Sequence, residues 1–232
     1  MSKCSQTAIM DFEKVANAFH ISMFKKTDGF QEWKVPIIGF SGKAGSGKDS
    51  AGEAILSSGV RAKRESFADP LREMIKCLGV DVDKIYSEFG GAGKSDPLPE
   101  FGGKSLRYML QTLGTDWGRN MVSDSIWLDI VARKVKKNKD SGHLTVITDV
   151  RFDNEADAVK KMGGVVVQVE ALGAALSVTS SAKESFRAHA SEAQISPKYV
   201  DFKLVNQFYD NPVIGKHVFM TNVLKLVNAI VR

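Results

Sequence analysis

Short runs of mostly apolar residues alternate along the chain with segments whose apolar residues recur every three to four positions. The runs predict buried strands, and the helical period predicts helices that pack on them. Strands that alternate with helices favour a parallel sheet covered on both faces. The pattern therefore predicts an α/β fold with a five-stranded parallel sheet. The predicted strands are 35–40, 64–68, 144–149, 165–170 and 202–206.

The helices between these strands have recognisable starts and stops. Asp69 followed by Pro70 predicts a helix start, because aspartate caps free N–H groups and proline suits the first helical position. Ser105 begins another helix, which Gly114 is expected to break. Residues 87–104, rich in glycine, proline and charge, are predicted to form a surface loop. The other predicted helices are 49–56, 123–137, 154–162 and 218–231.

The composition is that of a globular protein without a membrane span. No apolar run approaches the ~20 residues that cross a bilayer, and the N-terminus has no signal-peptide pattern. Cys4 and Cys77 are too few for a disulfide framework or a cysteine metal site. We therefore expect a protein of the reducing cytoplasm.

The net charge of +5 fits either anionic phosphate ligands or nucleic acid. The densest basic run, 133–139, is typical of a solvated helix end, where lysines suit the negative end of the dipole. The chain has no basic stripe with interleaved aromatic residues and no helicase-type motor motif. The charge alone therefore fits both kinds of ligand, and the absence of these motifs argues against nucleic acid.

A glycine-rich turn joins the first predicted strand to the first predicted helix. Residues 42–48 fit the spacing G-x-x-x-x-G-K. Glycines let successive N–H groups point into one concavity, and Lys48 can then reach β- and γ-phosphates. The strand before the turn and the helix after it favour a phosphate loop over a glycine turn without a ligand. Asp49 follows the lysine where Ser or Thr is usual, and Ser50 comes next.

Charged residues follow the strand 144–149, at the sheet edge where open α/β folds bind ligands. Asp149 can hold Mg²⁺ directly or through water, or it can cap the next helix, and the sequence leaves both roles open. Arg151 can grip a phosphate with two parallel hydrogen bonds. Its alternative is a salt bridge to Asp153 or Glu155, and its position favours the phosphate.

The polar excursion 171–198, between two core strands, is expected to be a closing lid. Closure would exclude water, so that phosphate is transferred to an acceptor rather than hydrolysed. Arg187 is the lid arginine we single out. His189 is assigned no proton-transfer role, because a lone histidine is more often structural.

Four segments, 42–50, 110–119, 149–156 and 189–192, together resemble the phage-type deoxynucleoside monophosphate kinases. This family is a branch of the P-loop nucleoside monophosphate kinases. The segments follow the family's order and span most of the chain from residue 35 onward. An aspartate after the loop lysine is typical of this family. Residues 1–34, where a helical period runs from 11 to 24, fall outside the resemblance.

The resemblance implies roles for particular residues. ATP phosphates would bind Gly42, Lys43, Ala44, Gly45, Ser46, Gly47, Lys48, Asp49 and Ser50. The cofactor Mg²⁺ would be held by Asp49, Ser50 and Asp149. The catalytic residues would be Lys48, Arg151 and Arg187. The monophosphate would bind Asp69, Arg72, Arg107, Trp117, Arg119 and Arg151.

The resemblance also implies a three-layer P-loop fold. Residues 1–34 would form an N-terminal helical extension and 35–232 a kinase domain. That domain would contain a monophosphate-binding insertion at about 69–142 and the lid at about 171–198. The protein would work in the cytoplasm, the host's if it is of phage origin, with small nucleotides as partners. Its oligomeric state, a homodimer included, stays open.

The function that we expect is transfer of the ATP γ-phosphate to a deoxynucleoside 5′-monophosphate, which gives the diphosphate and ADP. The first alternative is a P-loop kinase for another small acceptor, such as dephospho-coenzyme A or phosphomevalonate. The second is an ATP-dependent nucleic-acid-binding protein. An acceptor that is already an anionic phosphate needs no general base, which fits the absence of a Ser-His-Asp or Cys-His arrangement.

Overall fold

The computed structural model describes residues 32–88, 92–172, 195–207 and 212–231, and its centre is a five-stranded sheet. Its strands are β1 (Ile37–Ser41), β2 (Ala62–Glu65), β5 (Leu144–Val150), β6 (Val165–Leu172) and β7 (Phe202–Gln207). They follow the order β2-β5-β1-β6-β7, and every neighbouring pair is parallel. The predicted sheet is confirmed.

Helices cover both faces of the sheet, so the strands carry apolar side chains in both directions. The helices are α1 (Lys48–Ser57), α2 (Asp69–Cys77), α3 (Val82–Glu88), α4 (Leu106–Gln111), α5 (Ile126–Asp140), α6 (Asp153–Lys161) and α7 (Pro212–Val231). One core cluster joins the sheet to α1 and α7 through residues such as Ile55 and Leu224. Another core cluster joins it to α5 and α6 through residues such as Val131 and Val159.

The second strand lies earlier than the predicted range 64–68. It ends at Glu65, and the chain then turns away from the sheet. The turn forms because the N–H groups of Phe67 and Ala68 and the hydroxyl of Ser66 all donate to the carboxylate of Asp149. These bonds replace the strand hydrogen bonds that the sequence pattern predicted.

Asp69 is the first residue of α2, and the predicted cap by its side chain is absent. The Asp69 carboxylate instead accepts a 2.6 Å hydrogen bond from Nη1 of Arg72. Ala68 takes the capping position without a side-chain bond. The helix start was therefore predicted one residue late, and the acid pairs with an arginine rather than with helix N–H groups.

Gly114 does not break the helix that Ser105 caps, which corrects the sequence prediction. After α4 the chain continues as a π-helical stretch, Thr112–Val122. A Cβ on Gly114 would lie 2.9 Å from Cδ1 of Leu71, and its carbonyl accepts from Nε1 of Trp127. The glycine is needed for close packing rather than for termination.

The predicted loop 87–104 contains regular structure where it is described. Two short strands, β3 (Pro97–Leu98) and β4 (Lys104–Ser105), form an antiparallel pair. Short 3₁₀ turns occupy Ala92–Ser95 and Pro99–Phe101. Leu98 and Phe101 pack against the small apolar cluster of Ile75, Val80, Val82 and Leu106, which explains the order.

Two regions singled out in the sequence fall mainly outside the described residues. These are the N-terminal extension 1–34, of which 32–34 are described, and the lid 171–198, of which 171–172 and 195–198 are described. Arg187 and His189 lie outside them. Within the described ranges, no helix combines the length and apolarity needed to cross a membrane.

Candidate active site

The turn between β1 and α1 has the backbone that a phosphate loop requires. Gly42, Gly45 and Gly47 have φ angles of 142°, 77° and 104°, in the region that favours glycine. A Cβ on Gly42 would lie 2.3 Å from the carbonyl oxygen of Val169, and one on Gly47 would lie 2.5 Å from Nδ2 of Asn206. The turn can therefore form only with glycine at these two positions.

Lys48 is the first residue of α1, and its side chain folds back over the turn. Its Nζ donates to the carbonyl oxygens of Gly42 and Lys43, both at 2.7 Å. The residue is 9% exposed. The ammonium group is thus held inside the loop at the N-terminal, positive end of the helix.

Ser46 lies buried beneath the same turn. Its Oγ has no hydrogen-bond partner among the described residues, although the residue is only 2% exposed. A buried hydroxyl without a partner is costly, and a phosphate oxygen would satisfy it. Lys43, Ala44 and Gly45 are exposed on the other side of the turn. The loop therefore fits a polyphosphate.

Asn206 holds the loop from the far edge of the sheet, and sequence reasoning missed it. Its Nδ2 donates to the carbonyl oxygen of Ser46 at 3.0 Å. Asn206 is near the end of β7, 160 residues after its partner in the chain. A single asparagine at the end of a predicted strand carries no local signal for this contact.

Asp49 is joined to the sheet rather than to Lys48. Its Oδ1 accepts from Oγ1 of Thr148 at 3.0 Å and from Nη2 of Arg64 at 3.3 Å. The Asp49 side chain is 80% exposed, so the ion pair contributes little stability. Ser50 follows on the exposed side of α1. Thr148 is a second contact that the sequence analysis missed, although it directly precedes Asp149.

Asp149 closes the turn after β2. Its Oδ2 accepts from Oγ of Ser66 at 2.6 Å and from the N–H of Ala68 at 3.0 Å. Its Oδ1 accepts from the N–H of Phe67 at 3.1 Å. A carboxylate accepts about four hydrogen bonds, so about one position, on Oδ1, remains for a further ligand.

The first turn of α2 is linked to Asp149 through Ser66. Nη1 of Arg72 donates to Oγ of Ser66 at 3.3 Å as well as to Asp69. Nε of Arg72 donates to the hydroxyl of Tyr86 at 3.3 Å, and the guanidinium lies 5.0 Å from that ring. The predicted residues Asp69 and Arg72 thus belong to one network with Asp149.

Arg151 leaves the sheet beside the phosphate loop. Ser41 pairs with Val150 across β1 and β5, so Gly42 and Arg151 follow at the same level of two adjacent strands. Arg151 is exposed at this edge. The register therefore brings a predicted catalytic arginine and the phosphate loop to the same end of the sheet.

Arg119 lies deeper, and its charge is paired. Nη2 of Arg119 donates to Oε1 of Glu155 at 2.5 Å, and Nη1 donates to the carbonyl oxygen of Gly114 at 3.3 Å. Its guanidinium is 4.2 Å from the ring of Phe152, and its side chain is 15% exposed.

The two remaining acceptor candidates lie within residues 69–142, the predicted monophosphate-binding insertion. Trp117 is 38% exposed, with its ring 6.3 Å from the buried ring of Trp127. Nε of Arg107 donates to Oγ of Ser95 at 3.1 Å. Both belong to the same predicted insertion as Arg72, and their contacts with a substrate stay predictions.

The environment suits a magnesium ion held by few protein ligands. Asp49, Ser50 and Asp149 offer the oxygen donors that this hard cation prefers. The described residues contain no cluster of three or more His, Cys, Asp or Glu that could cage a metal. Mg²⁺ commonly uses one or two carboxylates together with water and substrate phosphates, so this set fits it.

Burial, followed by the negative charge of Asp149, raises the pKa of Glu155 from 4.5 to about 7. Hydrogen bonds from the N–H groups of Arg151 and Phe152 and the charge of Arg119 act in the opposite direction. Between pH 4.5 and 7 the folded protein therefore binds more protons at this group than the unfolded chain. The contribution of Glu155 to stability falls as pH rises through that window.

We expect the difference in unfolding free energy between wild type and Glu155→Gln to move with pH. From pH 5 to pH 8 the wild type should lose about 2 kcal/mol relative to the variant, because glutamine does not titrate. Urea unfolding at both pH values measures this difference. A difference that stays constant would contradict the raised pKa.

Comparison with known proteins adds relatives that share most of the chain. The family model for deoxynucleotide monophosphate kinase matches residues 102–208. A putative deoxynucleotide monophosphate kinase of Acanthamoeba polyphaga mimivirus is 32% identical over 187 residues, 73% of this chain and 88% of the relative. The deoxynucleoside-5'-monophosphate kinase of Escherichia phage T5 is 26% identical over 233 residues, 74% of this chain and 90% of that protein.

Comparison with solved structures matches dephospho-CoA kinase from Campylobacter jejuni. It has a TM-score of 0.39 and 15% identity, over 85% of this chain and 98% of that one.

Proposed function

We propose that this chain, which belongs to the deoxynucleotide monophosphate kinase family, transfers the ATP γ-phosphate to a deoxynucleoside 5′-monophosphate. The observation that carries the proposal is the position of Lys48. Its ammonium group is held inside a glycine loop, at the sheet edge where Arg151 follows β5. The two relatives named for this activity support the deoxynucleotide as the acceptor.

In this reaction an oxygen of the acceptor phosphate forms a bond to Pγ of ATP. The bond from Pγ to the β,γ-bridging oxygen breaks, and ADP leaves with the electron pair. When ATP binds, Lys48 donates to phosphate oxygens in place of a loop carbonyl, and the loop N–H groups donate to the β-phosphate. Arg151 neutralises negative charge on the phosphoryl group during its transfer. The acceptor oxygen is already anionic, so no general base is required.

We assign the metal-binding role to Asp49, Ser50 and Asp149. Mg²⁺, when bound, neutralises the negative charge of the ATP phosphates. Asp149 already accepts three hydrogen bonds, which favours contact through water over direct ligation. Thr148 orients the carboxylate of Asp49, whereas Lys48 is held by loop carbonyls. A role for Asp49 at the metal is therefore better supported than a role in orienting Lys48.

Asp49→Thr tests this assignment. Threonine keeps an oxygen ligand but loses the charge, so we expect the Mg²⁺ concentration for half-maximal rate to rise at least about fivefold. Glu53→Gln, on the exposed face of the same helix, is the matched control and should leave the Mg²⁺ dependence unchanged. Normal Mg²⁺ dependence in Asp49→Thr would remove Asp49 from the metal site.

The acceptor is assigned to the insertion 69–142, with Asp69, Arg72, Arg107 and Trp117 as contacts. The guanidinium of Arg119 already donates to Glu155 and to the carbonyl oxygen of Gly114. Its proposed effect on acceptor binding is therefore indirect, because it holds the π-helical stretch in place. Arg187 keeps its proposed role in the lid, outside the described residues.

A coupled ADP-release assay across deoxy- and ribonucleoside monophosphates tests the function. Dephospho-coenzyme A and phosphomevalonate are the competing acceptors, and duplex DNA is the competing partner. We expect turnover with at least one deoxynucleoside monophosphate and none with the competing acceptors. Turnover with only a competing acceptor, or steeply salt-dependent DNA binding without kinase activity, would contradict the proposal.

A further inference from the structure

Glu155 binds groups from two separate segments at the carboxyl end of β5. Its Oε1 accepts from Nη2 of Arg119 at 2.5 Å. Its Oε2 accepts from the N–H of Arg151 at 2.8 Å and from the N–H of Phe152 at 3.2 Å. Glu155 is 2% exposed, so its carboxylate depends on these contacts in place of water. One side chain therefore joins the π-helical stretch to the end of β5.

Part of this arrangement is an ordinary helix cap. Glu155 is the third residue of α6, where a glutamate commonly accepts from the N–H of the residue before the helix. A cap alone does not require burial or an arginine from another element. Here the second oxygen holds Arg119, which is 36 residues earlier in the chain. The contact therefore does more than begin the helix.

The arginine partner belongs to an unusual element. The π-helical stretch Thr112–Val122 has 11 residues, and π-helical turns are rare and frequent at functional sites. The stretch carries Trp117, and it is packed so closely that a Cβ on Gly118 would lie 2.4 Å from the ring of Trp127. The bond from Glu155 to Arg119 therefore attaches Glu155 to a closely packed part of the predicted insertion.

The other partner is the backbone of a proposed catalytic residue. Arg151 leaves β5 at the level where Gly42 begins the phosphate loop. Small displacements of groups around a transferring phosphate cost rate, because the reaction needs in-line alignment. The hydrogen bond from the N–H of Arg151 to Glu155 therefore fixes the backbone position from which the Arg151 side chain extends.

We propose that Glu155 is a positioning residue, which holds the insertion carrying Trp117 and the strand end carrying Arg151 in one geometry for transfer to the acceptor. This inference rests on the function proposed above. Glu155 touches no substrate itself. It acts on the acceptor through Arg119 and through the backbone of Arg151, whereas the phosphate loop that binds ATP does not depend on it.

The test is steady-state kinetics of Glu155→Gln at about pH 8, with both substrates varied. Glutamine keeps the shape but loses the charge and cannot accept from both segments. We expect kcat to fall at least about tenfold and the KM for the deoxynucleoside monophosphate to rise at least about fivefold. The KM for ATP should stay within about twofold. A loss of folded protein would lower kcat alone, since inactive molecules do not change a KM.

Glu65→Gln is the matched control. Glu65 is also largely buried and paired, with Nζ of Lys134 at 3.2 Å and Nδ2 of Asn138 at 3.0 Å. We expect this variant to leave both KM values unchanged. Glu155→Asp, which keeps the charge but is one methylene shorter, replaces the first variant if glutamine prevents folding, and the same rise in the acceptor KM is expected.

An unchanged KM for the acceptor in folded Glu155→Gln or Glu155→Asp would overturn the positioning role and leave the kinase function standing. A wild type that transfers phosphate to no deoxynucleoside monophosphate would overturn both the function and the inference.

Discussion

Lys48→Ala should lower kcat/KM for ATP by at least about a hundredfold, roughly 2.7 kcal/mol of transition-state stabilisation. Lys48 is 9% exposed, and its ammonium group donates hydrogen bonds to two loop carbonyls. The Lys48 ammonium group is therefore in position before the nucleotide binds, and little free energy is needed to reorganise it during the reaction. The measurement is initial-rate kinetics with ATP varied at saturating acceptor.

Lys160→Ala is the control for Lys48→Ala. The side chain of Lys160 is also held by a protein partner, the carboxylate of Asp201, but this pair lies at the amino end of β6 and β7, away from the phosphate loop. Lys160→Ala should keep kcat/KM for ATP within about threefold of wild type. If Lys48→Ala retained ordinary turnover with every deoxynucleotide tested, the loop would not be the ATP site.

Arg151→Ala is expected to lower kcat at least tenfold, about 1.4 kcal/mol, with a smaller change in the KM for ATP. The strand register places Arg151 beside the start of the phosphate loop, and a guanidinium can hold two oxygens of the group in transfer. Arg151→Lys should recover part of the rate, because lysine keeps the charge but not the two parallel hydrogen bonds. Single-turnover kinetics measures the transfer step directly.

Arg61→Ala is the matched control for Arg151→Ala. Nε of Arg61 donates to Nε2 of His143 at 3.4 Å, just before β2 and β5 begin, so it is at the opposite edge of the sheet. A loss of less than tenfold for Arg151→Ala, with Arg61→Ala unaffected, would remove Arg151 from the transfer step.

The sequence predicts the sheet and the glycine-rich turn after its first strand because both depend on neighbours in the chain. Strands buried on both faces are mostly apolar, as in Ile37–Ser41, where every residue is buried and only Ser41 has a polar side chain. The loop depends on three glycines and a lysine within seven positions. Such local patterns also place the start of α1 within one residue of the predicted position.

Contacts between distant segments could not be predicted in the same way. The side chain of Asn206 donates to the carbonyl oxygen of Ser46, which is 160 residues earlier in the chain. The carboxylate of Glu155 accepts from Arg119, which is 36 residues earlier. Neither residue type indicates a partner at that distance. The turn at Ser66 is a related case, since it exists because Asp149, on another strand, accepts its hydrogen bonds.

The π-helical stretch shows how one residue can mislead. Glycine usually ends a helix, so Gly114 predicted a break. In the structure Gly114 is buried against Leu71, and its carbonyl holds Trp127 and Arg119. Whether a glycine ends a helix or permits close packing is decided by tertiary neighbours, which the sequence alone does not show.

Transfer of labelled phosphate tests the central claim most directly. Wild-type protein is incubated with ATP labelled at the γ-phosphate and with each deoxynucleoside monophosphate, and the products are separated by chromatography. We predict that the label appears in the deoxynucleoside diphosphate, in an amount equal to the ADP formed, and that Lys48→Ala abolishes it. Label that appears only in inorganic phosphate, or in no product with any deoxynucleotide, would contradict the account.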